Sequence, residues 1–243
     1  GNNHSKELTS KLNLEYTIDK HHGVNLNVYF DRNSLRPKDP LMDKALGFQS
    51  NFPIRMNTLT LALSYDLTLF EGRFQNAFTL KNYKFSSHSR SINVYSVSAP
   101  EPVSVSKSYF GFNDAMRYKL TNDWMVKASF NSEVRIPTNE ELIGNGYSIL
   151  ASPALKPERT SGVNVGMMYR HIKQNGGLVE IEFNGFYNQL KDMIRFTPDL
   201  IPTMARYRNF GSVRTRGIEL DVKADVCSSV YLYANGTYQD LRD

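Results

Sequence analysis

Polarity alternates residue by residue along much of this chain, and that alternation commits it to strands. Between Ile218, Leu220, Val222, Ala224 and Val226 lie Glu219, Asp221, Lys223 and Asp225. Successive strand side chains point to opposite faces, so one face is apolar and the other ionic. The same period runs through Leu12, Leu14, Tyr16 and Ile18, through Val24 to Phe30, and through Leu59 to Leu69. It returns at Trp124 to Phe130, Val163 to Tyr169, Val179 to Phe183 and Val230 to Ala234. A soluble sheet with one buried face reads the same way, so strands alone do not decide the class.

The connections decide more. Turn chemistry marks short joints at 19–23, 70–73, 121–123, 175–177 and 227–229, which close hairpins at about 8–31, 54–86, 108–134, 158–196 and 206–241. Between hairpins lie long segments that carry the prolines, 31–53, 86–107 and 135–157, with a shorter one at 197–205. Structureless loops of that length are uncommon in compact soluble domains. Transmembrane barrels are built with short turns at one end and long loops at the other. The expected fold is therefore all-β, an antiparallel up-and-down meander of about ten strands. It would be part of a transmembrane β-barrel, with 1–243 as a single segment.

A strand of about ten residues tilted near 45° covers roughly 23 Å, close to the ~25 Å apolar band of such barrels. Extending the outward parity of Ile218 to Val226 backwards reaches Arg216 and Arg214, which would cost roughly 2–4 kcal/mol each at the midplane. Either they sit above the band or Gly217 marks a parity-switching bulge. Aromatics such as Tyr16, Tyr65, Trp124 and Tyr169 fall near strand ends, where an interfacial girdle or a core would use them.

Composition narrows the function classes. With 243 residues, 40% of them hydrophobic, the chain has no apolar run near twenty residues and thus no transmembrane-helix pattern. The net charge of +5 is scattered, and no basic helix or aromatic–basic motif points to nucleic acid. The single Cys227 has no partner for an internal disulfide and reads as a solvated turn residue. His21 and His22 are adjacent in a turn and read as solvated. Glu140 and Glu141 lack regular oxygen-ligand spacing and read as a loop-solvated pair, so no metal site is expected. No nucleophile elbow, phosphate loop or cofactor motif is present, so the chain reads as no enzyme and as needing no cofactor. A barrel enzyme would depend on His88 or His171 as base.

Four stretches, in order, resemble the barrel region of TonB-dependent outer-membrane receptors. They are Val134-Arg135-Ile136-Pro137-Thr138 with Glu140-Glu141-Leu142; Ser152-Pro153-Ala154-Leu155-Lys156-Pro157-Glu158-Arg159-Thr160; Phe186-Tyr187-Asn188-Gln189-Leu190-Lys191-Asp192-Met193-Ile194; and Tyr207-Arg208-Asn209-Phe210-Gly211 running to Arg216-Gly217-Ile218-Glu219-Leu220. Pro137 and Pro157 lack backbone donors and bracket an excursion from the sheet. Gly211 and Gly217 permit bulges, and Glu219 faces possible partners in Arg216 and Lys223. Pro137, Glu141, Leu142, Pro153, Pro157, Glu158, Asn209, Gly211, Gly217 and Glu219 are thus the motif's structural positions.

The resemblance implies a receptor of twenty-two strands in a Gram-negative cell outer membrane, with a plug in its lumen and a segment before the plug that contacts the TonB complex. This stretch shows neither of those parts nor a closing strand, so it is expected to be a wall segment supplying roughly ten strands. Its partners would be outer-membrane lipid, a small extracellular ligand and, through the N-terminal region, TonB. The implied function is high-affinity uptake of a scarce ligand such as a ferric siderophore, cobalamin or glycan. The resemblance places the ligand on outer loops, where Arg135, Tyr147, Lys156, Arg206, Tyr207 and Arg208 offer anion-binding forks and stacking faces. The alternative is a soluble or surface β-sandwich that binds glycans, its apolar rows packed on each other.

Overall fold

The structure is a computed structural model that describes residues 4–36, 44, 52–91, 101–144, 148–152, 154–173, 176–200, 203–227 and 229–243. Its strands are β1 (His4–Thr17), β2 (His22–Arg36), β3 (Ile54–Leu69), β4 (Phe74–Ser91), β5 (Glu101–Lys119), β6 (Trp124–Arg135), β7 (Ile149–Leu150), β8 (Glu158–Ile172), β9 (Leu178–Pro198), β10 (Ala205–Cys227) and β11 (Val230–Arg242). All but β7 form one antiparallel meander in chain order, and β7 pairs in parallel with the start of β10. A short helix, α1 (Asn139–Ile143), stands between β6 and β7.

Side chains set the tight turns. The Asp19 carboxylate accepts from the backbone amides of His21 at 2.7 Å and His22 at 2.9 Å. Thr121 Oγ1 does the same for Asp123 and Trp124. Both are the local side-chain caps that Asp and Thr offer at turns. Between β3 and β4 the chain turns through Phe70, Glu71 and Gly72, all at positive φ.

The strands outrun the alternating rows. β4 and β5 stay paired up to Ser91 opposite Glu101, through serine-rich sequence in which β4 has no apolar period beyond Phe85 and β5 has only Val103 and Val105. β5 leaves β6 earlier, beyond Phe112 opposite Ser132. Gly217 is no bulge: the ladder to β9 runs unbroken through Arg216–Tyr187, Gly217–Phe186 and Ile218–Gly185, and the ladder to β11 does likewise. Gly211 is no bulge either. The rungs on its two sides keep one register, and the break is absorbed by Asp192 opposite, in left-handed conformation at φ 54°.

The sheet is curved. α1 touches β3, β4 and β10, yet β4 and β10 lie five strands apart, about 24 Å along a sheet with ~4.8 Å spacing. A helix ~10 Å across reaches both only because the sheet wraps around it. On this inner side, Ile54 and Met56 of β3, Phe85 of β4, Leu142 of α1 and Leu155 make a small core, against which Leu35, Tyr109, Ile194 and Tyr207 pack.

The opposite, outer face is apolar and uncovered. Leu63, Val165 and Ile218 are 52%, 58% and 47% exposed, and each belongs to a row that continues across the neighbouring strands. The accessible surface is 15546 Å², whereas a compact globular protein of 27.8 kDa would show about 11,000 Å². The described residues lie in one sheet with no second sheet over the apolar rows, which removes the sandwich architecture.

Candidate functional site

Elements meet on the inner face at the loop end of the sheet, and charge holds them there. Arg135, the last residue of β6, places Nε 2.6 Å from Glu158 Oε2 at the head of β8, and Nη1 3.0 Å from Glu141 Oε2 in α1. One guanidinium thus joins two strands to the helix, with the forked geometry that arginine supplies. Glu141 also closes a capping box: its Oε2 accepts from Thr138 N at 2.7 Å, and Thr138 Oγ1 accepts from Glu141 N at 3.3 Å. Leu142 is wholly buried and Pro137 nearly so, so the helix is anchored by an apolar residue beneath and an ionic one at its start.

A second clamp holds the other limb of this loop. Asn209 Oδ1 accepts from Lys156 N at 2.8 Å, while its Nδ2 donates to Lys156 O at 2.8 Å and to Asp192 O at 2.7 Å. All the hydrogen bonds of one carboxamide are spent on backbone, which fixes 154–157 against β9 and β10. Glu158 contributes further by accepting from Ile194 N at 2.7 Å. Tyr207 reaches over the site, its hydroxyl donating to Glu140 Oε1 at 3.0 Å and its ring 5.1 Å from that of Phe196.

The structure separates the residues that the sequence grouped. Arg135, Lys156 and Tyr207 surround the same inner-face cap, with the Lys156 side chain exposed. Arg206 and Arg208 flank Tyr207 on a strand and therefore point to the other face, where Arg206 Nε pairs with Asp199 and Arg208 Nη2 lies 3.8 Å from the same carboxylate. Tyr147 and Pro153 lie outside the described residues. Glu219 is on the inner face, but its two proposed partners are engaged elsewhere: Lys223 with Glu180 at 2.9 Å and Arg216 with Asp240 at 3.1 Å. Glu140 and Glu141, read as a solvated loop pair, are instead bonded to Tyr207 and Arg135. The signal was present, since Thr138-Asn139-Glu140-Glu141 is a capping-box pattern.

Below the cap, the inner wall is polar and internally neutralised. Glu133 of β6 accepts from Lys81 Nζ and from Tyr83 Oη of β4, both at 2.6 Å. These side chains pass over β5 at Gly111, where a Cβ would lie 3.2 Å from the Tyr83 ring and 2.8 Å from Ser132 O. Nearer the turns, Lys127 pairs with Glu182, and Arg170 and Lys223 share Glu180. A cavity of about 600 Å³ opens there beside Arg117, Met125, Met168 and Arg170. No cluster of three or more His, Cys, Asp or Glu side chains that could hold a metal occurs among the described residues. His88 bonds Ser104 and His171 bonds Asp123, at opposite ends of the sheet. The arrangement is a hydrophilic wall with a fastened loop cap, suited to lining a passage.

The family model described as "TonB dependent receptor-like, beta-barrel" matches residues 3–243. Among solved structures, the copper transporter OprC superposes with a TM-score of 0.75 at 16% identity, over 98% of this chain and 38% of its own. The FrpB iron transporter from Neisseria meningitidis (F3-3 variant) does so at 0.69 and 14%, over 99% and 36%. The ferric-catecholate import receptor Fiu from K12 E. coli gives 0.64 and 15%, over 98% and 38%. The chain therefore spans well under half the length of each. No curated protein matches it in sequence.

Proposed function

Because this chain belongs to the TonB-dependent receptor-like β-barrel family, we propose that it forms part of the wall of an outer-membrane importer, and that the barrel takes up a scarce extracellular ligand with energy delivered through TonB. Members of this family are outer-membrane proteins, and the relatives named above are a copper transporter, an iron transporter and a ferric-catecholate import receptor. The observation that carries the reading is the division of one curved sheet into an uncovered apolar outer face and a polar inner face with a loop fastened inside it. Lipid on one side and a water-filled or plugged lumen on the other is the arrangement in which both faces are favourable.

In this reading the ligand approaches the loop end, where Tyr207 and the Lys156 ammonium stand beside the cap. Arg135 serves to hold α1 rather than to meet the ligand directly. The choice between a metal chelate, a cobalamin and a glycan belongs to the loops.

Spin labels at Val222 and Glu219, three residues apart on β10, test the membrane placement in bilayers formed with the full receptor and Cys227 replaced by Ser. Lipid-soluble oxygen should broaden the Val222 label and a water-soluble relaxant the Glu219 label; the reverse, or burial of both, would overturn the wall reading. Deleting the plug from the full receptor should abolish energised uptake, and unchanged uptake would remove the transport reading.

A further inference from the structure

The outer face of β8 to β10 carries an unbalanced group of cations just beyond its apolar rows. Parity fixes their orientation. On β8 the outer row runs Tyr169, Met167, Val165, Val163 and continues to Arg159. On β9 it runs Val179, Ile181, Phe183, Tyr187 and continues to Lys191 and Arg195. On β10 it runs from Val226 back to Ile218 and continues to Arg216, Arg214, Phe210 and Arg208. The unbroken registers carry this parity to the loop end.

Like charges face each other across the ladders. Arg159 is opposite Lys191, Arg195 is opposite Arg208, and Arg214 is opposite Arg242. Such pairs repel when directly opposed. Two carboxylates relieve part of this: Asp199 serves Arg206 and Arg208, and Asp240 serves Arg216 and Arg242. Arg159, Lys191, Arg195 and Arg214 make no ion pair among the described residues. Arg159 is half-buried and donates a long hydrogen bond, 3.4 Å, to Ser132 Oγ, and Arg195 lies 5.8 Å from the centre of the Phe210 ring. Lys191, Arg195 and Arg214 are exposed. Ser212, opposite Lys191, and Gln189, opposite Arg214, add neutral hydrogen-bonding groups between them.

A surface that gathers cations against their mutual repulsion is complete only with an anion from outside. Guanidinium forks suit phosphate oxygens. The same outer rows turn apolar further toward the turns: Val163, Phe183 and Ile218 are 40%, 47% and 47% exposed and lie two, four and two outer positions beyond Arg159, Lys191 and Arg214. We propose that Arg159, Lys191, Arg195 and Arg214 bind the phosphates of a lipid in the outer leaflet, with its acyl chains lying on Val163, Phe183 and Ile218. The site rests on the membrane-wall reading above and lies on the face away from the lumen, so it does not compete with the transported ligand. Arg214 and Arg216 then stand at the headgroup level, where their charge is an asset rather than a cost.

The test uses the full receptor in nanodiscs of phosphatidylcholine with or without phosphatidylglycerol, counting co-isolated lipids by native mass spectrometry. The wild type should retain phosphatidylglycerol in preference to phosphatidylcholine. Successive R159Q, K191Q, R195Q and R214Q changes should weaken that retention by about fivefold per cation removed. K84Q, an outer-face charge on β4, should leave it unchanged, which separates a site from general charge. A wild type that inserts but retains both lipids equally overturns this inference alone. Inorganic phosphate that displaces the lipid completely at equal phosphate concentration would make it a free-anion site and overturn the lipid assignment. Failure to insert at all overturns the wall reading and this proposal with it.

Discussion

Arg135 grips Glu141 with both terminal nitrogens, Nη1 to Oε2 at 3.0 Å and Nη2 to Oε1 at 3.1 Å, and so folds the chain back on itself across the buried Pro137. This contact ties α1 to β6, whereas Leu142 packs on Ile54, Met56 and Phe85 of β3 and β4 and Glu140 accepts from Tyr207 of β10. Glu141 is 12% exposed in its side chain while Arg135 is 43% exposed. The carboxylate is thus the more dependent partner.

Glu141→Gln removes the ionic half of the pair and weakens the capping box together. A charged hydrogen bond of this kind contributes about 1–3 kcal/mol, and the exposure of Arg135 places the loss toward the lower end. Amide exchange at Leu142 and Gly144 should accelerate roughly 5–30-fold, with exchange in β8 and β9 unchanged. Equal acceleration throughout the sheet would show that the contact supports the whole wall rather than the cap.

Asn209→Asp should loosen 154–157 more than Asn209→Ala. The alanine removes three hydrogen bonds, whereas the aspartate keeps the acceptor for Lys156 N but turns a carboxylate oxygen toward the carbonyls of Lys156 and Asp192. Amide exchange at Leu155, whose N–H donates to Ser152 O at 3.1 Å, measures the difference. Faster exchange in the alanine variant would refute the clamp as described.

Gly217→Ala should destabilise the β10–β11 edge by about 1–3 kcal/mol, because its Cβ would lie 2.4 Å from Tyr238 O and 2.6 Å from Phe186 Cζ. Gly236→Ala, with no atom within 4 Å of the added Cβ, should be close to neutral. Phe186→Ala in the Gly217→Ala background should recover part of the loss, since the carbonyl clash persists. Thermal unfolding in detergent reports all three, and matching losses for the two glycines would sink the steric account.

Acid should release the first turn. Hydrogen bonding from the His21 amide holds the Asp19 carboxyl below its ordinary value of 3.8, with smaller help from the His22 amide and the histidine charges against a desolvation penalty. A group whose folded value is depressed stabilises above the unfolded value and loses that contribution as pH falls through the folded one. Exchange protection at His21 and His22 should therefore hold above pH 3.8 and decline below it. Asp19→Ala should abolish that pH dependence; persistence of the decline in the variant would assign it to another group.

Much of the sheet was readable because its two faces differ in polarity and the difference repeats every second residue, as from Ile218 to Val226. The turn at Asp19 was readable for an equally local reason. The upper halves of β4 and β5 were not: beyond Phe85, β4 runs Ser86-Ser87-His88-Ser89-Arg90-Ser91 with no apolar row, the alternation of Val103 and Val105 in β5 is only two residues long, and pairing makes both strands. Of the two readings open at Gly217, the parity-switching bulge does not occur, because the glycine answers to the Phe186 ring above it, which no local pattern shows. α1 was legible in Thr138 and Glu141 but is five residues long, too short to hold without the contacts of Leu142 and Arg135.

The order of residues alone sets which positions alternate, where the chain turns tightly, and hence which stretches carry an apolar face. Tertiary structure decided what those faces meet. Lys81 and Glu133 are 52 positions apart, and Arg159 and Lys191 face one another only once β8 and β9 lock in register. The reason is physical: period-two patterning is encoded between adjacent residues, whereas partners across a curved sheet are set by strand order and register, which belong to the assembled ladder.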